Sequence, residues 1–475
     1  MRYAILREYT RQFAGPKRKR VPVGSGPVII EMFDWERVIF DEFHKCVGEA
    51  EQYSASWRAL HEIRARFRWG LTGTPNLTLP LRVSEMAAML HIFVPPDNRV
   101  EAQRFLDLWV RADEWDMSGI RVYLHVITVQ QTPTERALYI ARKQWLEGKK
   151  GADAELLPFC SHFAPQELDT GNADTANAAI LRVLDQQKRE RAAQQGRLHE
   201  AEHALARSEA DDPRVLRSRV DEARQQLAQM TSTISFLAAT LGYIAKLNAG
   251  DEHECAVCMG DTPPEAVSVT RCGHVFCTDC ITSYVASGND HCPTCRAALR
   301  SQDFDAILKL SQSSAGGVDN ARYGTKIARI IAELRRIHSE DETSRVLVFV
   351  QWNELLLKLE AALEHYGVHC VVLRGSVAQR QRTITAFAEG EHRYVLLLAM
   401  EHDDSGLNLT CSNHLFFVHP MVAEPELARA CERQALGRVR RRGQARAVHV
   451  YRFVAAGTIE VERAREHHAI LFPGD

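Results

Sequence analysis

The stretch from Cys255 to Cys295 constrains this 475-residue chain more than any other. It carries Cys255, Cys258, Cys272, His274, Cys277, Cys280, Cys292 and Cys295, separated by two, thirteen, one, two, two, eleven and two residues. A Cys-x-x-Cys knuckle can set two thiolates on one ion, and tetrahedral zinc takes four such ligands at roughly 2.0–2.3 Å. Eight ligands make two closed sites with no position for water or substrate, so the predicted metal is structural: two Zn2+ ions. A disulfide framework fits poorly. No secretory signal is visible, and the remaining cysteines, at positions 46, 160, 370, 411 and 431, are scattered. A zinc module of some other type stays open on spacing alone.

The ligand order resembles a RING finger, in which ligand pairs alternate between two zincs in a cross-brace. The resemblance implies that Cys255, Cys258, Cys277 and Cys280 hold one ion and that Cys272, His274, Cys292 and Cys295 hold the other. It also implies docking of a ubiquitin-conjugating enzyme, whose thioester is discharged onto a substrate lysine. Three positions match the family's docking surface: Val257 in the first knuckle, Tyr284 four residues after Cys280, and Pro293 in the last knuckle. Arg296 follows the last ligand, where many RING ligases carry a basic residue that bonds ubiquitin and the conjugating enzyme together. A planar guanidinium can serve two acceptors at once, although a solvated surface arginine reads the same way in sequence.

Length predicts two to four domains. A formal net charge of −2 supplies no global attraction to nucleic acid, so any such contact must come from local basic patches. No apolar run looks long enough to span a bilayer, and a soluble, intracellular chain without a membrane partner is expected.

Residues 28–43 read as an apolar strand ending in paired carboxylates, Asp41 and Glu42, followed by Phe43 and His44. Residues 69–75, Trp-Gly-Leu-Thr-Gly-Thr-Pro, form a second strand-then-turn signature. These resemble the acidic box and the Thr-Gly-Thr-Pro motif of the Swi/Snf-related DNA translocases, where the first carboxylate holds magnesium and the second orients the attacking water. Phe43 replaces the small residue usual there and is expected to crowd the site. Beyond the zinc module, residues 345–352 read as a buried strand leading into an amphipathic helix. Residues 371–374 and 394–399 are further strands, with a helix at 378–389 between them, a pattern that predicts a parallel α/β sheet. Residues 405–410 and 434–444 resemble the same family's second RecA-like lobe. The resemblance implies that Gln434, Arg438 and Arg441 face a nucleotide, the arginines as fingers on its γ-phosphate. Their spacings of four and three place them on one helical face.

A phosphate-cradling Gly-x-x-x-x-Gly-Lys-Ser/Thr loop is absent; neither Gly24-Ser-Gly26 nor Gly148-Lys-Lys150 approximates it. Only about 40 residues precede the acidic box, which reads as an incomplete first lobe. ATP and Mg2+ are therefore expected only if a further N-terminal part completes the site.

Between the lobes, Leu216, Val220, Ala223, Leu227, Met230, Ile234, Leu237, Leu241 and Ile244 form a heptad seam, and Gln187, Arg191 and Gln194 interrupt a matching upstream run. Asp211-Asp212-Pro213 breaks the helix, predicting an antiparallel hairpin over a dimeric coiled coil, serving as an arm that holds the zinc module away from the lobes. Lys17-Arg18-Lys19-Arg20 resembles a nuclear localisation signal, though a solvated loop reads equally well.

The predicted fold class is α/β: two RecA-like helicase lobes, the first incomplete, with an inserted helical hairpin and a two-zinc cross-brace RING finger. The expected boundaries are 1–170 for the first lobe with a helical extension, 171–249 for the hairpin, 250–300 for the RING finger and 318–475 for the second lobe. A RING between split lobes resembles the Swi/Snf-related RING ubiquitin ligases, most closely the type that also carries histone-linker-like and PHD modules. That implies ubiquitin transfer to chromatin or DNA-repair substrates in the nucleus, with a conjugating enzyme, ubiquitin and double-stranded DNA as partners. The alternative is a DNA-dependent ATPase or remodeller fragment with a merely structural zinc module.

Overall fold

The computed structural model describes residues 33–41, 43, 55–72, 77, 79–111, 119–146, 151–162, 176–207, 213–249, 253–263, 266–299, 308–309, 320–390, 393–400 and 407–468. Glu42, His44, the Lys17–Arg20 cluster, residues 73–76 and Ser405-Gly406 lie outside them. The chain divides into two bodies, residues 1–117 and 118–475.

In the N-terminal body, β1 (Asp34–Phe40) pairs in parallel with β2 (Arg64–Gly70). Helices α1 (Ala55–His61), α2 (Pro80–Met89) and α3 (Arg99–Trp109) accompany them, and Asn98 caps α3 by accepting from the amides of Val100 and Glu101. Arg68 bolts the layers together: its guanidinium donates to carbonyls of Leu60, His61 and Ile63, around the end of α1, and to that of Met89 at the end of α2. A cation there complements the negative ends of both helix dipoles. The Phe43 ring is buried over Gly70, where an added Cβ would lie 2.6 Å from it. The expected buried strand is buried only at Phe40, with Val38 half-buried; Trp35, Ile39, Phe67 and Trp69 project from the opposite face, 41–54% exposed.

The C-terminal body opens with β3 (Val122–Val129), α4 (Pro133–Leu146) and α5 (Ala152–Ser161), followed by the long helices α6 (Ala176–Arg207) and α7 (Pro213–Ala249). The zinc module comprises β4 (His253–Glu254), β5 (Asp261–Thr262), β6 (Val267–Val269), β7 (Val275–Cys277) and α8 (Thr278–Ala286), with β8 (Leu308–Lys309) pairing against β6. Then come α9 (Asn320–Tyr323), α10 (Thr325–Glu340), β9 (Val346–Val350), α11 (Asn353–His365), β10 (Cys370–Val372), α12 (Val377–Glu389), β11 (Val395–Ala399), β12 (His414–Phe417), α13 (Pro425–Gly437), β13 (Val448–Ala455) and α14 (Ile459–His467).

Six strands form one parallel sheet in the order β10-β11-β9-β12-β13-β3. Alternate residues of β9 enter opposite cores, Val346, Val348 and Val350 on one face and Leu347 and Phe349 on the other. A parallel strand covered on both sides must be apolar throughout, which is why this run was legible as a buried strand. This sheet is the second RecA-like lobe. β3, expected within a first-lobe segment ending at 170, instead pairs along its full length with β13, from Val122↔Val448 to Val129↔Ala455.

Helices α6 and α7 pack antiparallel, with Gln194 donating to Gln226 and Arg224 to Glu202. The interrupting Gln194 is thus a buried polar layer, its oxygen satisfied by Arg197. By length and composition α7 could cross a membrane, contrary to the sequence expectation, yet its apolar residues join the protein core. Nor is the hairpin an arm that holds the zinc module away. Phe236, Leu237 and Tyr243 of α7 share one core with Val267 and Val269 of the zinc module, with α4 and α5, and with Ala455 and Ile459 of the second lobe. The left-handed Gly273 sits against this helix; a Cβ there would lie 2.7 Å from the Ser235 carbonyl. At the base of this core, the fully buried Lys326 ammonium of α10 pairs with both oxygens of Glu460 at 2.5 and 2.6 Å. Ser161 lies 3.5 Å from the same ammonium, and the Ala455 amide donates to the carboxylate.

Candidate zinc centre and helicase-like residues

The zinc module has little apolar core of its own: Cys255, Phe276, Ile281, Cys292 and Leu299 are its buried cluster. The fold instead collects the ligands. The β4–β5 hairpin closes the first knuckle, β7 runs into the second at Cys277, and an isolated bridge between His291 and Ala298 closes the last. Ligand atoms of Cys255, Cys258, Cys277 and Cys280 all lie within 4.8 Å of one another, as do those of Cys272, His274, Cys292 and Cys295. Sulfurs around one tetrahedral zinc stand about 3.8 Å apart, given a Zn–S bond of about 2.3 Å. Both donor sets fit zinc, and the two quartets are those of a cross-brace.

Amides support the sulfurs. Cys277 donates its N–H to Cys255 Sγ and Cys280 to Cys277 Sγ, each at 3.3 Å, while Thr270 Oγ1 lies 3.2 Å from Cys272 Sγ. Burial tends to raise the Cys255 thiol, but hydrogen bonds from the amides of Cys277, Cys258 and Val257 outweigh it and hold the thiol at about 6, whereas burial raises the thiols of Cys272 and Cys277. A thiolate is the form a metal binds. Of the docking positions, Val257, Pro293 and Arg296 are exposed, and Tyr284 is half-buried against the small core.

Of the helicase-like positions, Asp41 is exposed in the N-terminal body, and Gln434, Arg438 and Arg441 belong to the C-terminal one. The single helical face expected for the last three is not formed. Helix α13 ends at Gly437; Arg438 is its C-cap, and Arg441 lies in the turn beyond, its guanidinium 3.5 Å from the Leu407 carbonyl. Sequence reasoning missed the residue that secures this turn. Gln444 is buried, and its amide donates to the carbonyls of Ser412 at 2.7 Å, Thr410 at 3.2 Å and Val439 at 3.4 Å. A glutamine just after Gly443 was the available signal, but its acceptors lie more than thirty residues upstream or inside the turn itself.

A RING-type zinc module docked on a helicase-type second lobe is thus the architecture. Residues 254–295 match the zinc finger, C3HC4 type (RING finger) family, and residues 325–443 the helicase conserved C-terminal domain. Similar proteins include DNA repair protein RAD5B of Arabidopsis thaliana, 25% identical over an alignment of 464 residues that covers 93% of this chain and 34% of the relative. A putative SWI/SNF-related matrix-associated actin-dependent regulator of chromatin subfamily A member 3-like 1, also of Arabidopsis thaliana, is 25% identical over 92% of this chain and 48% of its own length. The DNA (cytosine-5-)-methyltransferase DMT5 of Cryptococcus neoformans var. grubii is 35% identical over 44% of this chain and 9% of the relative. Among solved structures, the C-terminal part of the Fun30 ATPase domain is 13% identical with a TM-score of 0.33, covering 73% of this chain and 90% of that one. The chain is similar to Rad5 and Swi/Snf-related helicase-like proteins, and it spans about a third to a half of the length of RAD5B and the member 3-like protein.

Proposed function

We propose that this chain is the ubiquitin-ligase portion of a Swi/Snf-type scaffold. Zn2+ would be held by the two quartets, and bound there it supplies only folding, because both sets are closed. The chain's own residues do the rest. Val257, Tyr284 and Pro293 dock a ubiquitin-conjugating enzyme through a small apolar contact suited to a transient complex. The substrate lysine amine attacks the thioester carbonyl of the loaded enzyme, the isopeptide C–N bond forms, the C–S bond breaks, and the enzyme's thiol leaves. Arg296 orients that thioester by donating to ubiquitin and to the enzyme together. The observation that carries this reading is a pair of closed donor sets in cross-brace order, with exposed Val257, Pro293 and Arg296 on the outer knuckles.

Several relatives are named DNA repair proteins, which supports chromatin or repair substrates, duplex DNA as a partner, and a nuclear location. The test is discharge of ubiquitin from a panel of loaded conjugating enzymes by the full chain. Val257→Ala and Arg296→Ala should each slow it by about tenfold, the scale of a central interface contact; wild-type rates in both variants would sink the docking assignment. A DNA-dependent ATPase is the second reading, favoured by the match to the helicase C-terminal domain. Asp41, Glu42, Gln434, Arg438 and Arg441 would serve it only with a phosphate-binding loop from further sequence. DNA-stimulated phosphate release by the 475 residues alone would contradict that requirement.

A further inference from the structure

The β6–β7 hairpin turns through Thr270, Arg271, Cys272 and Gly273. The Thr270 amide donates to the His274 carbonyl and the Gly273 amide to the Thr270 carbonyl, each at 2.8 Å. This turn is what meets α7. Gly273 is left-handed, with φ of 86°, and an added Cβ would lie 2.7 Å from the Ser235 carbonyl oxygen and 2.9 Å from its carbon. Both are helix backbone atoms, which cannot swing aside as a side chain would. One turn earlier, Ser232 Oγ donates to the Arg271 carbonyl at 3.2 Å. Two turns later, the Tyr243 ring meets the His253 ring edge-on with centroids 5.6 Å apart, and His253 Nε2 lies 3.3 Å from the Val275 carbonyl.

From Ser232 to Tyr243 these contacts span about 16 Å of helix axis. Between them Val267 and Val269 share a core with Phe236 and Leu237, and β8 pairs with β6 from beyond the module. A body held at points that far apart, with a core between them, cannot swing on a single pivot. The zinc module is a fixed platform, not a tethered one. It carries no lysine between His253 and Leu299, so the chain's eleven lysines all lie outside it. Lys143 of α4, Lys188 of α6 and Lys246 of α7 are exposed, whereas Lys326 is buried.

We propose that this seat on α7 is a positioning device for ubiquitin transfer, with Gly273 as its positioning residue. It fixes the direction in which the loaded conjugating enzyme faces and thereby selects which lysines are modified. This rests on the ligase reading and adds to it a rule for choosing the acceptor. Attack on the thioester depends steeply on the approach of the amine, because a misplacement of about 1 Å can cost on the order of a hundredfold in rate.

The test uses the full, zinc-loaded chain and two kinds of acceptor. Free lysine reaches the thioester from any side and reads the chemistry alone. The chain's own lysines, mapped by mass spectrometry, read the orientation, at a dilution where self-modification per chain no longer depends on chain concentration. Wild type should modify a small subset of its lysines, the same subset with each active conjugating enzyme. Ser232→Glu sets a carboxylate against the Arg271 carbonyl and wedges the turn from the helix side; Gly273→Ala wedges it from the module's side. Both should discharge onto free lysine near the wild-type rate, while the preferred lysines lose about tenfold in share and others gain. Gly273 stands between two ligands, so Ser232→Glu, outside the module, decides if Gly273→Ala loses zinc. An even spread over the exposed lysines in wild type, or the wild-type pattern in Ser232→Glu, overturns the proposal and leaves the ligase reading intact. Equal loss of zinc, free-lysine discharge and self-modification in Ser232→Glu overturns it in favour of a role in the fold. If the wild-type chain discharges no loaded enzyme onto free lysine, the ligase reading itself fails and the proposal with it.

Discussion

The zinc module buries Cys255, Phe276, Ile281, Cys292 and Leu299 in a cluster of its own, two of them metal ligands. The second lobe, a few dozen residues later, lines both faces of one sheet with aliphatic and aromatic side chains, from Ile327 and Val346 to Leu415 and Phe453. The first is too small to offset its chain entropy by apolar burial and depends on bound ions; the second needs none. Yet the two are not independent. Val267 and Val269 belong to the same core as Phe236 of α7 and Ile459 of the second lobe, so the metal-dependent part rests on the metal-independent one.

Zinc removal separates them most sharply. Binding energies of structural zinc are on the order of 10 kcal/mol or more, so chelation, or Cys292→Ser with its loss of a ligand, should unfold residues 253–299 while the lobe persists. Hydrogen exchange would show protection lost in β6 and β7 and kept in β9, β11 and β12. Simultaneous loss in both would mean that the zinc module is integral to the lobe.

The next effect tests the lobe's side of the comparison. Lys326→Met leaves the Glu460 carboxylate without its cation in a fully buried site, and should lower stability by about 3–5 kcal/mol with zinc content unchanged. Adding Glu460→Leu should recover much of that loss in denaturant unfolding.

The smallest effect is a pH dependence of the lobe. Burial, with His449 and Arg446 nearby, holds His414 well below its ordinary value, at about 3; burial does the same for His419. His419 Nε2 accepts from the Gln351 amide at 3.1 Å and its Nδ1 faces the Pro420 carbonyl, so the neutral ring is the form the fold holds. A depressed histidine means that the unfolded chain binds more protons. The contribution is therefore full above about pH 6.5 and is lost as pH falls toward 3, amounting to about 2 kcal/mol per group near pH 5. Urea midpoints measured on the zinc-free chain should fall over that window, and His414→Phe should flatten the slope.

Comparison of these regions also shows where sequence reading works. The eight ligands were readable because metal coordination fixes both residue type and spacing, while their division into quartets was what the RING resemblance implied. β9 was readable because burial on both faces removes any polar residue from it. The heptad seam of α7 was readable as one apolar line, but Phe236, Thr240 and Tyr243 form a second line, which is what turns the helix from an arm into a core element. The turn at Arg438 and Arg441 depended on where Gln444 finds its acceptors.

The sequence by itself determined the chemistry: eight ligands for two ions, the apolar strands of a parallel sheet, and the boundaries of its long helices. These are local, written in residue type and period. Only the tertiary structure decided that β3 is the edge strand beside β13, that Phe43 covers Gly70, and that the zinc module leans on α7 through Gly273. Each depends on residues far apart in the chain, or on the shape of the surface a side chain meets, and neither leaves a period in the sequence for a reader to find.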